Sequence, residues 1–397
     1  MHGHPATGAP LAIAEVFRRF APSFRQRHSL SAEAARVLDD LERCRTAALG
    51  VHPYRCEDCG RDVPLFNSCL NRHCPTCQGP AQHRWIEARE PRLLNTPYFH
   101  CVFTLPAVLR PLILAHRREL LGLLFRSVSQ TLLAFAADPK RLGAQIGFSL
   151  VLHTWTRELL FHPHLHAIVA GGGLSADGSQ WIEPANPDFL FPVAAVSTVF
   201  RGRFLEGLLD LCNAGDIDLA EPDCRKLGRA AKRSDWVVYT KRAFGGPQHI
   251  VRYLGRYTHR VAISSSRLLS IADHRITFRT RGDKTCALPP DEFLRRFLLH
   301  VLPDQFVKIR HYGLLAPANV KTRLLQAQAL LGPHIPAADS AQAPNDSAPA
   351  DIAPVTLEAD TTAPSPTQPR CPHCGGRLTS LPGFWRTPRP PPTPRRP

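Results

Sequence analysis

A chain of 397 residues with 44% hydrophobic content can bury a sizeable core and is long enough for two or three domains. Its 49 Lys plus Arg against 33 Asp plus Glu give a formal charge of +16. Phosphate neutralisation is what such an excess usually serves, so nucleic acid is the expected partner. No run approaches ~18 uninterrupted apolar residues, and Met1-His2-Gly3-His4-Pro5 shows no basic region followed by an apolar run. The expectation is therefore no membrane span and no signal peptide.

Residues 9–46 read as two helices, the second opening on the N-cap candidate Ser31 with Val37, Leu38 and Leu41 at helical spacing. A cysteine-rich window follows. Twelve cysteines without a secretory signal argue for thiols and metal sites rather than disulfides, and half of them fall between Cys44 and Cys77. Cys56-x2-Cys59 and Cys74-x2-Cys77, fourteen residues apart, read as the two knuckles of one four-thiolate zinc site. Cys44, His52, Cys69 and His73 in the same window would either form a second Cys2His2 site or exchange into the first. A site closed by four protein ligands leaves no open position for catalysis, so its expected role is structural and DNA-contacting.

A helix carrying Trp85 and Ile86 comes next, then a buried strand over 97–105 and a long apolar helix over 107–136. Two strand-like runs follow, 146–155 and 161–170. Side chains alternate along a strand, so His164 and His166 share one face while Leu165, Ala167 and Val169 take the other. Imidazole is the commonest side-chain metal ligand, and two on one face make half of a site. An antiparallel hairpin would bring His153 opposite the pair.

Gly171-Gly172-Gly173 marks a turn, followed by a helix over 195–213, a basic segment to 234 and a strand over 235–240. A further helix begins at Pro247, a favoured first helical position. On it Tyr253 and Tyr257 stand four residues apart and share a face, with Arg252, Arg256 and Arg260 at the same interval beside them. Strands near 259–264, 267–271 and 275–280, a helix over 291–302, a strand over 306–311 and a helix over 316–331 complete the folded part. Elements interleaved without a strict β-α-β rhythm predict an α+β fold with a central, mostly antiparallel sheet flanked by helices.

From about 333 to 369 the composition turns to Ala, Pro, Asp, Ser and Thr, with no Lys or Arg between Arg323 and Arg370, the signature of a disordered linker. A Cys371-Pro372-His373-Cys374 knuckle follows with no second knuckle after it, and the chain ends in a Pro/Arg tail.

His164-Leu165-His166 resembles the His-hydrophobe-His signature of HUH endonucleases, and Tyr253-Leu254-Gly255-Arg256-Tyr257 resembles their two-tyrosine motif. With the upstream cysteines, the chain is similar to two-tyrosine rolling-circle insertion-sequence transposases with an N-terminal zinc-binding domain. The resemblance spans roughly 35–331 and includes Ser68–Gln78, Phe103–Pro106, Gly255–Ser264 and Arg310–Leu315. It implies a single-strand DNA endonuclease and strand transferase, with Tyr253 and Tyr257 as nucleophiles and a 5′-phosphotyrosine intermediate. It further implies Mg²⁺ or Mn²⁺ on His164, His166 and a third ligand, besides structural Zn. His153 has ten residues between it and His164, the relaxase interval; His162 and His259 are the alternatives. Arg252, Arg256, Arg260 and Arg310 are the expected DNA contacts.

The partners so implied are single-stranded DNA at element ends and target DNA, and the place is the bacterial cytoplasm and nucleoid. Domains are expected as N-terminal helices (1–43), zinc-binding DNA-recognition domain (44–92), HUH nuclease (93–331), linker (332–369) and knuckle with tail (370–397). A plasmid-type replication initiator or relaxase, and a zinc-ribbon DNA-binding regulator without nuclease activity, are the rival readings.

Overall fold

The computed structural model describes residues 11–188, 190–242, 262–333 and 369–382. The helix expected from Pro247, with Tyr253, Tyr257, Arg252, Arg256, Arg260 and His259, lies outside the described residues. In chain order the described elements are α1 (Ile13–Arg27), α2 (Ala32–Arg43), β1 (Val51–Cys56), β2 (Asp62–Phe66), α3 (Gln78–Arg89) and β3 (Tyr98–Thr104). Next come α4 (Arg110–Ala115), α5 (Arg117–Ala137), β4 (Gly147–Trp155), β5 (Phe161–Ala170), β6 (Gly173–Leu174) and β7 (Trp181–Ile182). There follow α6 (Val193–Asn213), α7 (Glu221–Lys232), β8 (Val238–Arg242), β9 (Leu268–Ala272), β10 (Arg275–Arg279) and β11 (Thr285–Leu288). The last are α8 (Pro290–Leu298), β12 (Ile309–Gly313), α9 (Arg323–Leu331) and β13 (Leu378–Ser380). The α+β class is as the sequence predicts.

The chain forms two compact units, each drawn from separated stretches. The first holds residues 1–81, 259–301 and 358–397; the second holds 82–258 and 302–357. Residues 262–301 pack with the N-terminal helices.

In the first unit, Ser31 caps α2 by accepting the Ala34 N–H at 3.2 Å. The buried face of α1 carries Ile13, Val16, Phe17, Phe20 and Phe24. Phe17 meets Phe297 of α8 edge-on, ring centres 4.9 Å apart. Arg27 reaches Asp291 at the start of α8 in a forked ion pair at 2.7 and 3.0 Å. β9–β10–β11 form an antiparallel sheet beneath α8. β11 escapes the sequence reading because its four residues are too short for an alternation to register.

In the second unit five antiparallel strands run in the order β12-β4-β5-β3-β8. Register places His153 opposite His164 and Val151 opposite His166, as the hairpin expectation requires. One face bears Phe99, Phe103, Leu150, Leu152 and Leu165, all buried, and Phe103 meets Phe200 of α6 at 5.4 Å. On the opposite face Tyr98, Val151, Ile168 and Ala170 form a core with Leu324 and Ala327 of α9. The three histidines lie on this second face.

The predicted long helix over 107–136 is broken at His116, whose ψ of 58° leaves the helical region between α4 and α5. α5 is long and apolar enough to cross a membrane, but 67% of that stretch is buried inside the unit, where it packs along α6. The basic segment before residue 234 contains α7, held to α6 by a disulfide between Cys212 and Cys224. That bond departs from the expectation of thiols alone.

Candidate metal centres

Three donor clusters form among the described residues, and the cysteines sort differently from the expected pairing. Cys44, Cys69, Cys74 and Cys77 have their sulfurs within 4.8 Å of one another, and so do Cys56, Cys59, Cys371 and Cys374. The expected Cys56/Cys59/Cys74/Cys77 set is therefore split between two sites. Neither His52 nor His73 joins a cluster: His52 Nε2 lies 3.0 Å from Asn67 Oδ1, and the His73 backbone N–H donates to Asn71 Oδ1 at 2.8 Å. The split has a local cause. The β1–β2 hairpin pairs along its length, from Val51 with Phe66 to Arg55 with Asp62, so Cys56 and Cys59 sit at its turn. Cys44 instead caps α2 beside the loop that carries the other three.

In the first cluster, sulfurs of Cys44 and Cys77 are 3.5 Å apart, of Cys69 and Cys77 3.6 Å, and of Cys74 and Cys44 3.6 Å. Four thiolates about 2.3 Å from a tetrahedral zinc would stand about 3.8 Å apart, so the donor set and spacing fit that ion. Contacts from Cys69 and then Cys74 draw the Cys44 thiol down to about 7. The Cys77 thiol is lowered by Cys44, Cys69 and Cys74, with help from the Leu70 N–H. Leu70 takes a left-handed φ of 56° in the loop between Cys69 and Cys74.

The third cluster is His153 on β4 with His164 and His166 on β5, ligand atoms within 4.8 Å of one another. His153 and His166 are buried and His164 is partly so. Burial, reinforced by His162, pushes His164 down to about 3. His166 is lowered well below the ordinary imidazole value by burial and by His153, His164 and His100. Neutral rings keep a lone pair for a cation.

Their neighbours decide which nitrogen offers it. A carbonyl only accepts, so His164 Nδ1 donates to the His162 carbonyl at 2.7 Å and leaves Nε2 as the donor atom. His166 Nδ1 lies 2.8 Å from Nε2 of buried His100 on β3. The tautomer in which His166 donates this bond likewise leaves its Nε2 for a metal. His162, an alternative third ligand, stands outside the cluster with Nδ1 2.7 Å from an Arg110 guanidinium nitrogen. His100 and Arg110 escape the sequence reading; the signal for His100 is a histidine inside an otherwise apolar strand. Arg310 lies with its guanidinium 4.1 Å over the Phe125 ring and donates from Nε to the Val307 carbonyl at 3.2 Å.

Comparison with known proteins bears on both halves of the chain. A family model described as "Transposase zinc-binding domain" matches residues 16–105, and one described as "Putative transposase" matches residues 147–323. The chain is 45% identical over 350 residues to "Putative transposase y4qJ" of Sinorhizobium fredii, covering 84% of this chain and 87% of that relative. It is 34% identical over 286 residues to the transposase for insertion sequence element IS801 of Pseudomonas savastanoi pv. phaseolicola, covering 69% of this chain and 68% of that one. No solved structure matches the chain. The zinc-binding match contains the whole Cys44/Cys69/Cys74/Cys77 cluster, while Cys371 and Cys374 lie beyond it.

Proposed function

The chain belongs to the transposases that carry an N-terminal zinc-binding domain, and from that premise we propose that it nicks and joins single-stranded DNA at element ends through a 5′-phosphotyrosine intermediate. The observation that supports this reading is the convergence of His153, His164 and His166 on one sheet face. These residues would hold a divalent cation, Mg²⁺ or Mn²⁺, which when bound polarises the scissile phosphate and offsets its developing charge. Three nitrogen donors suit Mn²⁺ better than Mg²⁺, which favours oxygen.

Tyr253 and Tyr257 are the proposed nucleophiles. The phenol releases its proton, its oxygen bonds to phosphorus, and the bond from phosphorus to the 3′ oxygen breaks. That oxygen takes up a proton and leaves as a 3′-hydroxyl, while the 5′ phosphate stays on tyrosine. The protein–DNA ester conserves the phosphodiester for rejoining, so no ATP is consumed. With two tyrosines, one holds a 5′ end while the other attacks the next strand. Arg252, Arg256 and Arg260 would hold flanking phosphates, and the zinc-bearing unit would recognise the DNA. Arg310, paired across from Leu150 on the sheet face away from the histidines, is not placed to share that task.

The test is incubation with labelled single-stranded oligonucleotides from the element ends and Mn²⁺. We expect a covalent adduct that survives boiling in detergent, absent from the Tyr253→Phe/Tyr257→Phe double variant. An undiminished adduct in that variant would exclude these nucleophiles. His164→Ala should lose cleavage while keeping oligonucleotide binding.

A further inference from the structure

The second sulfur cluster joins residues from opposite ends of the sequence. We infer that Cys56, Cys59, Cys371 and Cys374 hold a second structural zinc ion, and that this composite site fastens the C-terminal segment onto the N-terminal hairpin as its third strand. The inference is independent of the DNA chemistry proposed above.

Three observations carry it. The first is spacing: the Cys56 and Cys374 sulfurs are 3.4 Å apart and those of Cys59 and Cys371 3.7 Å. These values are close to the ~3.8 Å edge of a tetrahedral zinc–thiolate site.

The second is a matched backbone. Each half reads Cys-x2-Cys-Gly, and each folds as the same turn. The Gly60 N–H donates to the Cys56 carbonyl at 3.0 Å, and the Gly375 N–H to the Cys371 carbonyl at 2.9 Å. Gly60 and Gly375 have φ of 69° and 76°, the left-handed geometry that glycine adopts without strain. Two equivalent knuckles presenting two sulfurs each make a closed four-ligand site. With no open position, it is structural.

The third is that the surrounding chain is built to hold them together. β13 pairs antiparallel with β1, Tyr54 with Ser380 through Cys56 with Leu378. The pairing continues at both ends, from the Glu57 N–H to the Arg377 carbonyl at 3.0 Å and the Leu381 N–H to the Pro53 carbonyl at 2.9 Å. Val63 and Leu378 bury their side chains against Cys56 and Cys371, with Tyr54 and Leu65 beside them.

The experiment uses the full-length protein purified without chelator. Elemental analysis should find the Cys371→Ser/Cys374→Ser variant one zinc per chain short of wild type. In cobalt-substituted protein the thiolate-to-metal absorption should fall by about half. Unchanged zinc content would overturn the inference. Should the variant not fold, alkylation of the wild type decides: Cys59 and Cys374 are exposed, so a bound metal must be what shields them. We expect slow alkylation of these two until a strong chelator is added. Alkylation at the rate of free thiols in the untreated protein, or recovery of Cys56–Cys374 and Cys59–Cys371 as disulfide-linked peptides, would refute the site.

Discussion

Among the converging imidazoles, His166 has its ring set by a neighbour on another strand, since His100 stands 2.8 Å from its Nδ1. An outer partner of this kind fixes tautomer and orientation, and its loss typically costs 10–100-fold in metal affinity. His100→Ala should therefore weaken Mn²⁺ binding by about that factor in calorimetric titration while leaving oligonucleotide affinity unchanged. A second histidine, His311, is not a candidate ligand and reports on pH. Burial, then Arg89 and Arg92, hold it at about 4; Arg89 Nε donates to its Nε2 at 3.3 Å, and Ser149 Oγ lies 2.8 Å from its Nδ1. The unfolded chain takes up this proton near pH 6.5 and the folded one only near 4, so the contribution of His311 is complete above 6.5 and is lost as pH falls through that window. Denaturant titrations should show the stability advantage of wild type over His311→Gln shrinking by up to about 1.4 kcal/mol per pH unit crossed.

At the scale of elements, β12 depends on one backbone position. Gly313 has φ 59°, and a Cβ there would press on the Ile146 carbonyl oxygen, which accepts the Leu314 N–H at 3.0 Å. Gly313→Ala should destabilise the second unit by at least about 2 kcal/mol, measured by thermal melting, because neither the left-handed backbone nor the carbonyl can yield. Such elements also show what a sequence discloses. The His-x-His strand, its hairpin partner and the buried strand over 97–105 were legible because period-2 patterning survives in long strands. α7 was not, since its stripe of Cys224, Leu227 and Ala231 is short, built of small or weakly apolar residues, and surrounded by charge. The cysteine sites were half legible: C-x2-C spacing announces a knuckle, but which knuckles share an ion is decided by strand pairing across hundreds of residues.

Over the whole molecule, each compact unit is assembled from stretches far apart in sequence, and long-range closure of this kind slows folding. It also separates the two units by what stabilises them. Both sulfur clusters belong to the first unit and none to the second. Because metal binding to such sites is folding free energy, on the order of 10 kcal/mol per ion, treatment with a strong zinc chelator should abolish the calorimetric transition of the first unit. The transition of the five-stranded unit should keep its midpoint within a few degrees.

The strand supplied by residues 378–380 has a consequence for biosynthesis. These residues are synthesised about 300 positions after the β1–β2 hairpin, so the hairpin begun at residue 51 waits through that much translation before it gains its outer strand. A copy cut short by a nonsense or frameshift mutation anywhere upstream of codon 371 would thus emerge with an unfinished N-terminal module, even when every catalytic codon is intact.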